Sequence, residues 1–230
     1  MKTLLKIFLT IGAAFLVSCT TSAEDENDDF DAAKVCPVSG RGTFTDERDG
    51  QVYKYTTIGN QVWMAENLRY DAEYSVCLNE YITSDKKRID GFCEKYGRFY
   101  SLQMNGMYLE KIDTSLIKNV CPKGWHLPFV DEWKNMVSLV GSKDLEIISK
   151  RLRIDDYWFF WGNGTDDCGI SIRPAGAYMG EKSNLSYFGY DAIFWTSTVD
   201  SLGEIKTIKI ANDVVVFNNL PKMSIRCVKD

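Results

Sequence analysis

Hydrophobic and polar positions alternate early in the body of the chain. In GTFTDERDGQVYKYTTIGNQVWMAENLRY (42–70), Val52, Tyr53, Tyr55, Ile58, Val62 and Trp63 interleave with polar residues, and Asp49-Gly50 and Gly59-Asn60 punctuate the run. Two strands joined by tight turns are predicted. In GRFYSLQMNGMYLE (97–110) the apolar residues Phe99, Leu102, Met104, Met107 and Tyr108 fall at near-helical spacing, interrupted by Gly106. The clearest helix lies at 129–140, with Val130, Trp133, Val137 and Val140 on one stripe, Pro128 just before it and Gly141 just after. A shorter one is predicted at 143–152, with Leu145, Ile148 and Leu152 on one face. From 157 onward YWFFW, ISIRPAGAY, AIFWTST, IKTIKI, DVVVF and SIRCV read as short strands separated by Gly, Asn and Asp. The expected class is α+β with an antiparallel sheet.

The first 35 residues follow a different logic. MKTLLKIFLTIGAAFLVSC has Lys2 and Lys6 ahead of the largely apolar stretch Ile7–Val17, then Ser18 and Cys19. This is the layout of a secretory signal, and the stretch is too short to span a bilayer comfortably. Leu16-Val17-Ser18-Cys19 resembles the bacterial lipobox, which implies lipidation at Cys19, removal of residues 1–18 and anchoring to a membrane through acyl chains such as palmitate. Thr20–Val35 then carries six acidic residues and little to bury. Residues 19–41 are therefore expected to be a lipidated, flexible acidic tether. Such an acidic run resembles the signal that exports lipoproteins to the outer face of the outer membrane. A plain charged linker on a periplasm-facing protein is the alternative.

Charge then excludes one class of partner. The 27 basic and 32 acidic residues give a formal charge of −5. Setting aside Lys2, Lys6, Lys34 and the six tether acids leaves a body near −2. No electrostatic case exists for nucleic acid.

Seven cysteines and one histidine are the informative counts. With Cys19 lipidated, Cys36, Cys77, Cys93, Cys121, Cys168 and Cys227 remain, an even number in an exported chain, which reads as a disulfide framework. Six cysteines allow 15 connectivities. Cys77 and Cys93 bracket a polar loop, and closing it contributes on the order of 3 kcal/mol in the chain-entropy model. His126 lies between Trp125 and Leu127 at the entry to a helix, where a hydrogen-bonded structural histidine is expected rather than a catalytic base. Ser101 and Ser197 have no base at a useful spacing, and no nucleophile elbow or phosphate loop is present. Nothing in the pattern calls for an enzyme.

Binding has one candidate segment. YWFFWGNGTDD (157–167) sets five consecutive aromatics before a loop with Asn163, Asp166 and Asp167. Trp158 and Trp161 offer faces on which sugar rings stack, and the loop oxygens are of the kind that hold Ca²⁺. The same residues also fit a strand buried on both faces followed by a turn.

Several motifs in order carry a family resemblance. GTFTDERDGQVYKYTTIGNQVWMAENLRYD (42–71), KYGRFYSL (95–102), CPKGWHLPFVDEW (121–133), ISIRPAGAY (170–178), FWTST (194–198) and SIRCVKD (224–230) together resemble the Fibrobacter succinogenes major paralogous domain, a family of exported proteins. One domain over 42–230 is expected. The GWHLP-x-x-x-EW segment is in turn similar to one in formylglycine-generating-enzyme-like domains, whose fold is C-type-lectin-like. That implies an antiparallel sheet with two to three helices and long disulfide-tied loops. It also implies pairing Cys121 with Cys227, which leaves Cys36 and Cys168 for each other. Phe129 stands where the enzyme-like pattern has a helix-capping Thr, so Asp131 or water is expected to satisfy the first turn. Those enzymes bind copper through two closely spaced cysteines, whereas Cys168 and Cys227 are far apart, so the oxidase activity is not implied. The expected function is a lipid-anchored surface module that binds or adheres, to polysaccharide or to envelope proteins. A structural or assembly component of the envelope is the alternative, and no cofactor is required beyond the Ca²⁺ option.

Overall fold

The alternating run at 42–70 becomes three strands. The computed structural model describes residues 29–83, 86–102, 119–160, 162–180, 185–217 and 221–230. In it, β1 (Gly42–Thr45), β2 (Val52–Ile58) and β3 (Gln61–Met64) form an antiparallel meander. The turn at Gly50 reverses the chain onto β2, so the short segment preceding it pairs as well and adds one strand to the two expected. Along β2, Tyr53, Thr56 and Ile58 are buried while Val52 and Lys54 face out.

The sheet is completed from much later in the chain. β14 (Val228–Lys229) pairs with β3, and β8 (Trp125–His126) pairs with β14, giving the order β1-β2-β3-β14-β8. A second sheet is built from β11 (Ala192–Val199), β12 (Ile205–Ile210) and β13 (Val214–Phe217). Three two-stranded ribbons join β4 (Ser75–Val76) to β7 (Phe99–Tyr100), β5 (Glu80–Ile82) to β6 (Arg88–Asp90), and β9 (Ala177–Tyr178) to β10 (Leu185–Ser186). Every named strand pair is antiparallel and the class is α+β.

Four helices accompany the sheets among the described residues: α1 (Ala32–Val35), α2 (Phe92–Tyr96), α3 (Val130–Val140) and α4 (Leu145–Leu152). On α3 the buried stripe is Val130, Trp133, Met136 and Val140, with Val137 only partly covered. Trp133 lies against Trp63 of β3 at 4.7 Å between ring centroids and stacks on Phe194 of β11 at 5.1 Å, so one helix joins both sheets. The end groups of α3 find partners both inside and outside the helix. At its start Thr198 Oγ1 accepts the Val130 N–H at 2.9 Å and Glu132 accepts the Phe129 N–H at 2.8 Å. Asp131, the expected partner, instead takes Lys134 at 3.1 Å, because β11 brings a hydroxyl closer. At its end Arg151 Nη1 donates to the carbonyls of Val140 and Gly141 at 2.7 and 2.6 Å, placing a cation on the negative pole of the helix.

Four expectations change. Leu145 of α4 is exposed, and the face it was expected to occupy buries Ser149 and Arg151 beside Ile148 and Leu152. Ser149 donates to the Ala211 carbonyl, so this polar face is satisfied when buried. In 97–110, Phe99–Tyr100 is a strand because both rings are buried opposite β4, and 103–110 lie outside the described residues. ISIRPAGAY keeps only β9, since Pro174 offers no N–H and Gly176 turns at φ 68°. Residues 157–160 of YWFFW are irregular, with Tyr157 at φ 59°.

The tether boundary shifts as well. Residues 29–41 belong to the folded unit: Phe30, Ala32 and Val35 pack on the main core and Cys36 is buried. Asp31, one of the acidic residues assigned to the tether, caps α1 by accepting the Ala33 N–H at 3.0 Å. Phe30 also lies under the Arg151 guanidinium at 4.3 Å. Acidic composition hid the packing of Phe30.

Three disulfides join Cys36 to Cys168, Cys77 to Cys93, and Cys121 to Cys227. The last closes a sequence separation of 106 and ties the segment before β8 to the one before β14. Replacing Cys121 and Cys227 together by Ser is expected to lower unfolding free energy by about 2 to 5 kcal/mol, read from denaturant midpoints. Thr198→Val, which leaves the Val130 N–H without its acceptor, is expected to cost about 1 kcal/mol by the same measurement.

Candidate functional site

The 157–167 segment divides its residues differently from the expectation. Trp158 is only 4% exposed and belongs to the main core, with the Arg153 guanidinium 5.1 Å from its ring. Trp161 lies outside the described residues, as does Cys19. Asn163 is exposed. Asp166 accepts the Ser171 N–H at 2.7 Å and the Ser171 hydroxyl at 2.8 Å; burial pushes its carboxyl up, and these bonds oppose that. Asp167 lies 3.7 Å from Arg151 Nε, and its carbonyl accepts from Arg41 at 2.9 Å. Both acids are turned to local partners. Among the described residues no group of three or more His, Cys, Asp or Glu is placed to hold a metal ion.

The exposed aromatics are Phe159 and Phe160 instead, 48% and 70% accessible. Tyr187 and Tyr190, 46% exposed each, come from a second loop. Backbone geometry fixes the two loops together. The Phe159 N–H donates to the Gly189 carbonyl at 2.8 Å, and the Gly189 N–H donates to Pro174 at 2.9 Å. The Phe159 ring occupies the space where a Cβ on residue 189 would lie, and Gly189 has φ 81°, so glycine is required on both counts. Phe159 meets Tyr190 edge-on at 6.2 Å and Phe188 at 6.0 Å, while Phe160 lies 6.5 Å from Tyr190. Phe188 is buried against Phe92 and Tyr96 of α2, which anchors the platform to a small core of its own. The contiguous exposed rings of Phe159, Phe160 and Tyr190, with Tyr187 exposed on the same loop as Tyr190, mark an interaction surface.

A polar cleft adjoins the platform. Tyr157 links them: its ring is 6.0 Å from Phe159, and Lys95 Nζ lies 4.6 Å above it. Lys95 and Arg173 share Asp156 at 2.7 and 2.9 Å and line a cavity of about 160 Å³. Arg226 forms part of the same wall and is 1% exposed. It donates to Asn67 Oδ1 at 2.7 and 3.2 Å, to the Ser171 carbonyl at 3.3 Å and to the Ile170 carbonyl. Burial pushes its guanidinium down to about 9, against the pull of Asp166 and Glu66. Asn67 in turn donates to the Tyr96 carbonyl at 2.8 Å.

Sequence reasoning found the segment but not its outward residues. Five aromatics in a row have no readable period, and the left-handed backbone at Tyr157 breaks any strand alternation through 157–160. Tyr187, Tyr190 and Arg226 carried no local signal, because their neighbours come from distant parts of the chain.

His126 lies away from this surface. Its Nδ1 is 2.8 Å from Asp230 Oδ1 and its Nε2 is 3.0 Å from Glu132 Oε1, so both ring nitrogens are engaged. Burial alone lowers its pKa, but the hydrogen bonds to Asp230 and Glu132 outweigh that and raise it above 6.5. A histidine raised in the folded state stabilises fully below its unfolded value, and the contribution fades as pH rises through the folded value. Urea unfolding of the wild type and His126→Gln is expected to differ more at about pH 5.5 than at about pH 9.

No curated protein and no solved structure matches the chain. The sequence pattern of one family does, over residues 56–229. The match begins within β2, so β1 and the Cys36 segment extend the folded unit beyond it. On that match the chain belongs to the Fibrobacter succinogenes major domain family.

Proposed function

We propose that the chain is an exported, lipid-anchored surface module that binds carbohydrate through the Phe159, Phe160, Tyr187 and Tyr190 platform. The observation that carries this reading is the set of four exposed rings, held on two loops that are bonded to each other before any ligand arrives. Sugar rings present apolar C–H faces that stack on aromatic planes, and a preformed platform loses little entropy on binding. The lipobox-like Leu16-Val17-Ser18-Cys19 and the acidic run behind it support delivery to the outer face of the outer membrane. Three disulfides suit that oxidising exposure. A C-type-lectin-like arrangement is the finer fold reading. It is supported by the late strand β14 inserted between β3 and β8 and by the helices α3 and α4 packed on the second sheet.

The test is a glycan array followed by titration of the soluble domain with disulfides intact. Binding is expected with or without chelator, since the platform needs no metal. Phe160→Ala and Tyr190→Ala are each expected to weaken it about tenfold while leaving the melting temperature within about 2 °C. Absence of any glycan binding by the wild type overturns the reading.

A further inference from the structure

We infer that the cleft beside the platform receives an oxyanion carried by the bound glycan, so that the module selects acidic over neutral polysaccharide. This inference rests on the carbohydrate reading above. It begins with the charge around the cleft. Lys54, Arg69, Lys95, Arg173 and Arg226 reach its wall, against Glu66 and Glu94. The acids are already committed or outward: Glu66 takes Arg69 at 3.4 Å and the Lys54 N–H at 2.7 Å, and Glu94 is exposed on α2. Asp156 behind the wall is shared by Lys95 and Arg173. Among the described residues the Lys54 ammonium makes no ion pair, so positive charge remains over.

Arg226 is the second and independent observation. Its guanidinium is buried, yet every hydrogen-bond acceptor it meets is an uncharged oxygen from Asn67, Ile170 or Ser171. Asp166 and Glu66 act on it only through space. A buried charge is ordinarily paired, because removing it from water without a counterion is costly. Arg226 lines the wall of this cleft.

Size and position complete the case. About 160 Å³ holds a carboxylate or sulfate group with a few waters, each of which takes about 30 Å³ in the liquid. From Phe159 the route to the cleft runs across Tyr157 to Lys95, a path of neighbouring groups 6.0 and 4.6 Å apart. An oligosaccharide stacked on the platform thus extends a neighbouring sugar residue, with its oxyanion, toward the cations. Carboxylate and sulfate share the relevant chemistry, and separate ligands tell them apart.

The experiment titrates the intact domain with three oligosaccharides. These are oligogalacturonate, its fully methyl-esterified and therefore neutral form, and a sulfated oligosaccharide of similar length. At about 50 mM salt the carboxylated or the sulfated ligand is expected to bind at least about tenfold more tightly than the neutral one, and the gap is expected to shrink at about 500 mM. Whichever acidic ligand shows the gap identifies the oxyanion. Lys54→Gln and Arg173→Gln are expected to close the gap by weakening the acidic ligand alone, whereas Phe160→Ala weakens acidic and neutral ligands alike. Equal affinity for all three, or a gap unchanged in both cleft variants, overturns the acid selection and leaves the platform reading standing. If no ligand binds, both readings fall, and a melting-temperature rise with inorganic sulfate over chloride at matched ionic strength, lost in Lys54→Gln, then assigns the cleft to a free oxyanion instead.

Discussion

A single buried cation sets the path of three chain segments. Arg226 cannot be left without acceptors, and it meets that demand by drawing Asn67, Ile170 and Ser171 to one point. Asn67 is then committed at both ends, taking the guanidinium on its oxygen and giving its amide to Tyr96. The stretch after β3, the start of the 170–178 segment and the approach to β14 thereby converge on α2. The Phe194 ring lies 5.5 Å from the same guanidinium, which extends the convergence to the second sheet. Hydrophobic burial supplies most of the driving force in such a domain, but it is non-directional. The bonds of Arg226 have direction, and they specify which loops meet.

The same economy recurs at helix α3, whose ends are completed by other elements. Thr198 from β11 completes its first turn and Arg151 from α4 its last. Arg151 reaches further, holding Phe30 under its guanidinium and standing 3.7 Å from Asp167. Polar side chains with several donors thus hold this domain together where its sheets are short. Two of the disulfides act at longer range still, closing sequence separations of 132 and 106.

What the sequence made legible followed from local period and turn chemistry. Helix α3 was readable because Val130, Trp133 and Val140 repeat every three to four residues between Pro128 and Gly141. The β2–β3 hairpin was readable from Gly59-Asn60, and the Cys77–Cys93 pair from the loop it closes. The failures were non-local. Phe129 shows no capping side chain, and nothing near it announces that Thr198 will supply one. The acidic run from Glu24 reads as solvated throughout, although its last members fold around Phe30 and Cys36. At the candidate site, the aromatic run pointed to the right segment, but Trp158 is buried and Phe159 and Phe160 are the rings offered to solvent. Arg226 is indistinguishable by sequence from any surface arginine.

The placement of β14 also bears on when the domain can form. Val228 pairs with Trp63 on one side and His126 on the other, so an interior strand of the larger sheet follows every other described strand in chain order. During synthesis β3 and β8 have no common partner until residue 228 is available. Closing so long a loop is entropically slow, and folding rates fall as contacts become less local. For a chain exported as proposed, that delay is useful. Until the late strand arrives the larger sheet lacks its interior member, and on that reading the disulfides close after the chain has been delivered.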